Sequence, residues 1–365
     1  LTIDRDPATV DAVALEIPEV EGRPLTVAFA ADAPHTTTVV DTAGMQKHRS
    51  FWNEHPRVHE LVLEPAPTLE FTWRVTPALR TASSAHRHWY DDSLYLPMGD
   101  RVTRRDGLAI LDDPIALAEI DVFHVHWPEW CAGTDPERSR QVIANLRAAG
   151  VTIFWTQHNR VPHAFPDARD VYDIWTSEAD VVVHHSEYGR RVMEAEYTYG
   201  DHTRHAVIPH GHWGHRLEPL RPAGGKAEAE RQLGLDPAPI RLGVVGAPRT
   251  QKDVQLVLDA VHASTRDDLE LCVWSLRDET VPDDPRIRAW PYDLADHALY
   301  ARRLFALDAL VMPFTDGMLT TGTMGDALGV GLPTLASSWG YLREALGDAA
   351  LSYDDTVEGL TALLD

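Results

Sequence analysis

The fold is decided by the stretch LVMPFTDGMLTTGTMGDALGVGLPTLA, which occupies residues 310–336. Its first part extends the apolar run Ala309–Met312, which is typical of a buried strand in a parallel sheet. Thr320 and Thr321 are residues that cap helices well, so we expect a helix that begins near Gly322. That helix should end at one of the glycines before the second proline, and a further strand should follow. The pattern therefore predicts a strand–turn–helix–strand unit of an α/β protein.

The start of this helix is a candidate anion site. Gly322, Thr323 and Gly325 are small, and they leave the first-turn N–H groups open to a negatively charged ligand. Asp326 follows one turn later, where a carboxylate can accept hydrogen bonds from sugar hydroxyls. The alternative, an ordinary capped helix of the sheet, stays open on this stretch alone.

Length and charge limit the classes of protein to which this chain can belong. A chain of 365 residues with 44% hydrophobic residues is long enough for two domains, each with its own core. The formal charge of −23 argues against broad binding to nucleic acid or to anionic membranes. A local basic pocket for an anionic substrate remains compatible with that charge, and peripheral membrane contact stays open.

Several features indicate the cytoplasm. No run of 18 apolar residues predicts a transmembrane helix, and the acidic start, with Pro7 and Pro18, does not resemble a secretory signal. The two cysteines, Cys131 and Cys272, lie far apart, which fits a reducing compartment and provides no metal motif.

The order of elements predicts two doubly wound halves. Residues 1–23 are predicted to be a leading surface segment, and residues 25–31 the first strand, which no dinucleotide-binding G-x-G-x-x-G fingerprint follows. Residues 81–107 lack periodicity and are predicted to be a long loop of functional importance. From Ile120 onwards strands and helices alternate, as in a parallel sheet covered by helices. Linker residues near position 217 divide the chain into predicted domains 1–216 and 217–365.

Histidines follow the predicted strands of the first half. Because ligands bind at the carboxyl edge of open α/β sheets, these side chains are candidates for an acceptor or sugar site. For any one of them a structural role is the alternative, and no H-E-x-x-H or C-x-x-C spacing predicts a metal. The candidates at these strand ends are His126, Glu129, His158, Asn159, His185 and His210.

A cationic loop follows the first strand of the second half. Gly246, Arg249 and Lys252 precede a predicted helix, and Lys252 is one of only three lysines in the chain. A guanidinium and an ammonium near a helix start suit a diphosphate. A solvated loop is the alternative, but the helix start at Thr320–Thr323 in the same half favours the anion site.

These residues together resemble a family. The likeness is to GT-B glycosyltransferases, most closely glycosyltransferase family four and its bacterial mannosyltransferase relatives, and it covers residues 121–345. The motifs that carry it are FHVHWPE at 123–129, WTQHNRVPH at 155–163, VIPHGH at 207–212, GxxRxxK at 246–252 and LTTGT at 319–323.

The resemblance implies roles for single residues. Arg249 and Lys252 would hold the nucleotide diphosphate, and Asp326 would take the ribose-binding place of the second Glu in the family's E-x7-E motif. The place of the first Glu falls on Met318, which departs from the pattern and leaves the donor sugar and the anomeric outcome open; Asp316 is a candidate substitute. The expected nucleotide-binding residues are Gly246, Arg249, Lys252, Trp290, Thr320, Thr321, Gly322, Thr323 and Asp326.

The sequence thus predicts a cytoplasmic, metal-independent glycosyltransferase with no cofactor, in which a UDP- or GDP-sugar donates to a saccharide or small-molecule hydroxyl. Arg249 and Lys252 would stabilise the departing diphosphate, and His158 would orient or deprotonate the acceptor hydroxyl. Two alternatives remain: an epimerase or phosphorylase of the same fold, and a non-catalytic nucleotide- or carbohydrate-binding subunit, which the Met at 318 favours.

Overall fold

The structure is a computed structural model that describes two parts of the chain. It gives the strand backbones at residues 12–20, 23–30, 60–63 and 70–74. It also gives residues 78–365 apart from 163, 164, 275, 291–295, 316 and the side chain of residue 100. Asp316, a predicted sugar contact, therefore lies outside the described residues. In the described part of the chain, no helix combines the length and apolar character needed to cross a membrane.

The first four strands form a small sheet of their own. They are β1 (Ala12–Val20), β2 (Arg23–Ala30), β3 (Glu60–Leu63) and β4 (Glu70–Arg74), in the order β1-β2-β4-β3. Strands β1 and β2 pair antiparallel as a hairpin, and β2 pairs parallel with β4. The prediction of a leading segment at 1–23 is wrong in part, because β1 finds a hydrogen-bonding partner in β2. The predicted strand at 25–31 exists as β2 but belongs to this sheet.

The second sheet has six parallel strands in the order β10-β9-β8-β7-β5-β6. Strand β7 is buried along its whole length, as expected of a parallel strand covered on both faces. The strands are β5 (Leu79–Ser83), β6 (Val102–Asp106), β7 (Val122–Val125), β8 (Thr152–Thr156), β9 (Val181–His184) and β10 (Arg204–Val207).

The third sheet also has six parallel strands, in the order β13-β12-β11-β14-β15-β16. They are β11 (Ile240–Val244), β12 (Leu269–Val273), β13 (Ile287–Ala289), β14 (Ala309–Met312), β15 (Thr334–Ser337) and β16 (Leu351–Tyr353). Side chains of β14 alternate between two cores: Ala309 and Val311 belong to one cluster, Leu310 and Met312 to the other. Both faces are therefore covered, and the predicted pair of doubly wound sheets is confirmed.

Helices cover these sheets and connect their parallel strands. In the first half they are α1 (Trp89–Tyr95), α2 (Pro114–Leu117), α3 (Pro128–Ala132), α4 (Pro136–Ala148), α5 (Arg169–Glu178) and α6 (Glu187–Glu196). In the second half they are α7 (Gly214–Leu217), α8 (Gly225–Leu233), α9 (Val254–Ala263), α10 (His297–Phe305), α11 (Gly322–Val330), α12 (Gly340–Leu346) and α13 (Val357–Leu364).

The prediction of a long loop at 81–107 is wrong. The segment contains most of β5, then α1, a 3₁₀ helix at Leu96–Arg101, and β6. Its polar residues satisfy one another: the His88 side chain accepts a hydrogen bond from the backbone N–H of Tyr90, and Arg104 pairs with Asp91 at 2.8 Å. Such internally paired polar residues give no hydrophobic periodicity, so the sequence pattern did not reveal the helix.

The strand order places a ligand site in each sheet. In an open α/β sheet, ligands bind outside the carboxyl ends of the strands, where the strand order reverses. In the second sheet that point lies between β5 and β7, and in the third between β11 and β14. By this rule, ligands would contact the loops that follow these four strands.

The two halves contact each other through helix ends. The Glu344 carboxylate on α12 accepts hydrogen bonds from the backbone N–H groups of Glu187 (2.6 Å) and Tyr188 (2.7 Å) at the start of α6. Leu319, in the turn before α11, is buried in the core cluster of the second sheet. The turn between β14 and α11 thus packs against the first half of the molecule.

Candidate active site

The loops after β11 and β14 are joined by backbone hydrogen bonds. The N–H of Asp253 donates to the carbonyl of Pro313 at 2.7 Å, and the N–H of Thr315 donates to the carbonyl of Gln251 at 2.8 Å. Lys252 and Phe314 form an isolated antiparallel bridge between them. Because the two loops share these bonds, the cationic loop lies beside the turn that leads into α11.

Lys252 is buried inside this loop. Its ammonium donates to the carbonyl oxygens of Val245 (2.7 Å) and Ala247 (3.0 Å) and lies 5.6 Å from the centre of the Phe314 ring. Burial, followed by the charge of Arg249, lowers the pKa of Lys252 to about 7. Two of the three ammonium N–H donors therefore hold the loop in shape. A bound anion would favour the charged form of this lysine.

Gly246 allows the loop to approach α11 closely. It has φ of +88°, which favours glycine, and an added Cβ would lie 3.0 Å from Oγ1 of Thr323 and 3.4 Å from Nζ of Lys252. The Thr323 hydroxyl in turn donates to the carbonyl of Val245 at 3.4 Å. Arg249 lies exposed in the same loop. The structure thus brings the predicted loop and the predicted helix start together.

The start of α11 is capped as the sequence indicated. The Thr321 side chain accepts a hydrogen bond from the N–H of Thr323 at 3.2 Å, and the Thr320 hydroxyl donates to that of Tyr341 at 3.2 Å. Trp213, from the other half of the sequence, donates through its indole N–H to the carbonyl of Gly322 at 2.8 Å. Gly322 itself is exposed, so a ligand can reach the first turn of the helix.

Asp326 is a buried carboxylate on α11. It is 5% exposed and accepts a hydrogen bond from the Tyr300 hydroxyl at 2.9 Å. Burial raises its pKa to about 7, against the opposing effects of Tyr300 and Lys252. A buried carboxylate near a buried ammonium forms a pair whose protonation responds to ligand charge. A ribose-binding role for Asp326 stays a prediction.

Trp290 packs against the core cluster that also contains Phe314 and Met324. Its ring packs edge-on against Trp274 at 4.8 Å, and the Arg303 guanidinium lies 4.9 Å from its centre. The ring is half-buried. Its predicted contact with the nucleotide remains a prediction.

Four of the predicted histidines meet around one tyrosine of α1. The Tyr90 ring is buried, and its centre lies within 5.5 Å of the centres of all four imidazoles. The distances are 5.2 Å to His126, 4.6 Å to His158, 5.5 Å to His185 and 5.2 Å to His210. The carboxyl edge of the second sheet is thus a compact histidine cluster, which we call the Tyr90 cluster.

His158 is held on several sides within the Tyr90 cluster. Its ring stacks on Trp127 with a centre separation of 4.8 Å and an interplanar angle of 22°. Its Nε2 lies 3.2 Å from Nδ1 of His126, within hydrogen-bond distance. His126 Nε2 lies 3.6 Å from the Asp91 carboxylate. These contacts fix the orientation of the imidazole.

Burial keeps these imidazoles neutral. It lowers the pKa of His126 and His185 to about 3 and that of His210 to about 4. The pKa of His158 also lies well below its usual value, through burial first and then through the neighbouring imidazoles, His185 foremost. A neutral imidazole is the form that can accept a proton from a hydroxyl group.

Glu129 and Asn159 lie outside the Tyr90 cluster. Glu129 is buried and accepts a hydrogen bond of 3.4 Å from the hydroxyl of Tyr172, a core residue of α5. Asn159 also hydrogen-bonds this tyrosine. The geometry therefore supports a structural contribution of both side chains to the wall beside His158.

Sequence reasoning missed three residues of the site: Tyr90, Asp91 and Trp213. The first two lie on the helix that lacked a periodic pattern, and its N-cap residue, His88, is not one of the residue types that signal a helix start. Trp213 lies 5.2 Å from His210 by ring centres and bonds to the start of α11, so it links the Tyr90 cluster with that helix. No local pattern reveals such a long-range contact.

Among the described residues, no group of three or more His, Cys, Asp or Glu side chains is placed to hold a metal ion.

Comparison with solved structures identifies the architecture. HepE from Anabaena, solved in complex with UDP and glucose, superposes with a TM-score of 0.57 at 11% identity, over 78% of this chain and 89% of HepE. A glycosyltransferase from Rickettsia africae gives 0.55 at 11% identity, over 79% and 87%. Sucrose-phosphate synthase from Thermosynechococcus elongatus gives 0.51 at 15% identity, over 83% and 75%.

The chain has the GT-B fold. No protein-family model matches the sequence, and no curated protein matches it significantly. At these identities the likeness is one of fold, and the chemistry must be argued from this chain's own residues.

Proposed function

We propose that this protein is a glycosyltransferase that moves a sugar from a nucleoside-diphosphate sugar to a hydroxyl of a saccharide or other small acceptor. The observation that carries the proposal is the meeting of Arg249, Lys252 and the first turn of α11 at the switch point of the third sheet. That arrangement suits a diphosphate. The similar structures with UDP and UDP-glucose make UDP the nucleotide to test first.

On the donor side, the departing nucleoside diphosphate gains negative charge as the glycosidic bond breaks. Two cationic side chains and the N–H groups at Thr321–Thr323 would stabilise that charge without a divalent ion. Asp326 would accept a hydrogen bond from the ribose, or its protonation would change with the charge of Lys252. This assignment of roles, and the family-four likeness of the motifs, remain predictions.

On the acceptor side, His158 would receive or orient the hydroxyl. Its neutral ring is held against Trp127 and Tyr90, so the position of the nitrogen is fixed before the acceptor arrives. If the reaction retains anomeric configuration, the leaving phosphate oxygen can accept the proton and His158 would then only position the hydroxyl.

The test separates binding from transfer. Calorimetry should detect UDP and UDP-glucose binding in wild type and in His158→Ala with similar affinity, because the second half carries the phosphate contacts. Transfer should fall by about 10²–10⁴-fold in the variant if His158 is the general base. The exposed His202 provides a control, His202→Ala, which should retain full activity.

The outcomes also separate the alternatives. Failure of UDP, GDP, TDP and ADP to raise the melting temperature would remove the nucleotide site from this loop. Binding without turnover of any donor would indicate the non-catalytic subunit, which is supported by Met318 in the place of the first Glu of the E-x7-E motif. Epimerised donor or free nucleotide without a glycoside would indicate an epimerase.

Metal independence and location are separate proposals. Transfer should survive excess EDTA, and loss that manganese or magnesium restores would overturn the cationic account of leaving-group departure. We also propose a cytoplasmic site of action, which the two free, buried thiols of Cys131 and Cys272 support.

A further inference from the structure

A buried chain of three ionisable side chains leads away from His158. Asp91 and His126 are each 0% exposed and His158 is 7% exposed. Asp91 Oδ1 lies 3.6 Å from His126 Nε2, and His126 Nδ1 lies 3.2 Å from His158 Nε2. The other carboxylate oxygen, Asp91 Oδ2, accepts a 2.8 Å bond from Arg104. The three groups come from α1, the end of β7 and the end of β8, so the fold brings them together.

The carboxylate determines which ring nitrogens carry protons. Neither Asp91 Oδ1 nor His126 Nε2 has a hydrogen-bond partner in the described structure, so each is the natural partner of the other. Since a carboxylate only accepts, the proton of neutral His126 belongs on Nε2. His126 Nδ1 is then an acceptor, and His158 must supply the proton of the 3.2 Å contact from its own Nε2. This leaves Nδ1 of His158 with its lone pair.

We propose that Asp91 and His126 are positioning residues that make Nδ1 of His158 the nitrogen that meets the acceptor hydroxyl. This inference rests on the proposed transfer function. The opposite tautomer of His126 would donate to His158 Nε2 and place the His158 proton on Nδ1, where the ring could not accept a second one from a hydroxyl. The two buried residues thus decide whether His158 acts as a base.

The proton balance is simple. The acceptor oxygen forms a bond to the anomeric carbon, the bond from that carbon to the phosphate oxygen breaks, and the diphosphate leaves with the electron pair. The hydroxyl proton moves to His158 Nδ1. The resulting positive charge strengthens the hydrogen bond from His158 Nε2–H to His126 Nδ1 and the electrostatic attraction across the 3.6 Å contact between His126 Nε2–H and Asp91. The carboxylate stabilises the imidazolium through a neutral ring, and no second proton moves.

Other groups that face His158 hold the ring without supplying a counter-charge. Tyr90 and Trp127 pack against it at 4.6 and 4.8 Å by ring centres. His185 lies at 5.3 Å, and it, His210 and His88 act on His158 by charge repulsion when protonated. Asp91 is therefore the acidic group to change.

The test is Asp91→Asn, with Asp92→Asn as its matched control. Asp92 is the next residue of α1 and also pairs with Arg104, at 2.9 Å. In Asp91→Asn, Arg104 should hold the amide oxygen where Oδ2 was, and the amide NH₂ should then face His126 Nε2. That arrangement moves the proton of neutral His126 from Nε2 to Nδ1 and, as a result, the proton of His158 from Nε2 to Nδ1. Asp92→Asn should change the tautomer of neither imidazole.

Nitrogen-15 NMR of histidine-labelled protein reads the tautomers directly, with His126→Gln and His158→Gln used for assignment. We expect protonated Nε2 and bare Nδ1 on His158 in wild type and Asp92→Asn, and the reverse in Asp91→Asn. A proton on His158 Nδ1 in wild type, or no inversion in a folded Asp91→Asn, overturns the proposal. If that variant does not fold, the wild-type spectrum alone decides.

Kinetics with UDP-glucose provide a second readout. UDP release in Asp91→Asn should fall by about 10²–10⁴-fold in kcat at an unchanged KM for UDP-glucose, the scale expected when a general base is lost. An equal fall in Asp92→Asn would indicate general damage to α1 and contradict the proposal. If wild type releases no UDP from any donor, the proposed function fails, while the NMR result still decides the tautomer question.

Discussion

Replacing His185 by Gln should make the protein less sensitive to acid, because the native state keeps this imidazole neutral. The ring is buried, its Nδ1 lies 2.9 Å from the carbonyl of Ile208, and its Nε2 has no hydrogen-bond partner in the described structure. Burial is the main cause that lowers its pKa to about 3. A glutamine amide can keep the bond to Ile208 and cannot take up a proton.

The sign follows from linkage. The folded-state pKa lies below the unfolded value of about 6.5, so the stability is present above that pH and is lost as the pH falls toward the folded-state value. When the pH is lowered from about 7.5 to about 5.5, each such ring should reduce the free energy of unfolding by about 1.4 kcal/mol. His126 and His210, whose pKa values are also lowered, to about 3 and about 4, should behave alike, which gives about 4 kcal/mol for these three rings together. Asp326 opposes this in part, because its raised pKa retains a proton in the native state.

The quantity to compare among the variants is the loss of unfolding free energy between two pH values. Urea unfolding, followed by tryptophan fluorescence at pH 7.5 and 5.5, gives the pH-dependent loss for wild type, His185→Gln and the surface control His202→Gln. His185→Gln should lose about 1.4 kcal/mol less than wild type between the two pH values. The control should match wild type, because its ring is exposed to water when folded. A pH dependence in His185→Gln identical to wild type would refute the reasoning that His185 is neutral and buried.

Three further predictions follow from packing and charge. Lys252→Met should weaken UDP binding by about 1.5–3 kcal/mol, the scale of a charge-assisted hydrogen bond, and unchanged calorimetric affinity would remove the ammonium from the anion site. Gly325→Ala should lower the free energy of unfolding, measured in urea, by about 1–3 kcal/mol, because the added Cβ would lie 2.6 Å from the indole nitrogen of Trp213. Gly322→Ala, whose Cβ would lie 3.6 Å from the same ring, should lose less free energy of unfolding in the same experiment. Arg241→Leu should lower the free energy of unfolding by about 3 kcal/mol in urea, because Glu230 and Glu270 lose the buried guanidinium between them and keep only Lys226 and Arg288 as partners. A loss below about 1 kcal/mol would contradict that.

The third sheet was predictable because its strands are continuous apolar runs buried on both faces. Ala309–Met312 and the capped helix after it occur where the pattern placed them. The cationic loop was also visible, since a loop after a first strand and before a helix has a fixed place in a doubly wound sheet. These features depend on local sequence and on strand order alone.

Other parts of the site depend on partners distant in the sequence. Asp91 is buried because Arg104 neutralises it, and Asp326 is buried because Tyr300 donates to it. Neither partner follows from local periodicity, so the sequence suggested a long loop around Asp91 and revealed neither Arg104 nor Tyr300 as a partner. Buried polar residues that satisfy one another leave no hydrophobic pattern to read.

Trp213 belongs to one half of the chain by sequence and to the other by packing. It precedes the linker, yet its indole and backbone N–H groups both bond to α11, at 2.8 and 3.1 Å. A chimera that joins the first half of this protein to the second half of another protein with the GT-B fold would separate this side chain from the helix it supports. The junction should therefore be placed before Trp213, so that the tryptophan is inherited together with the helix against which it evolved.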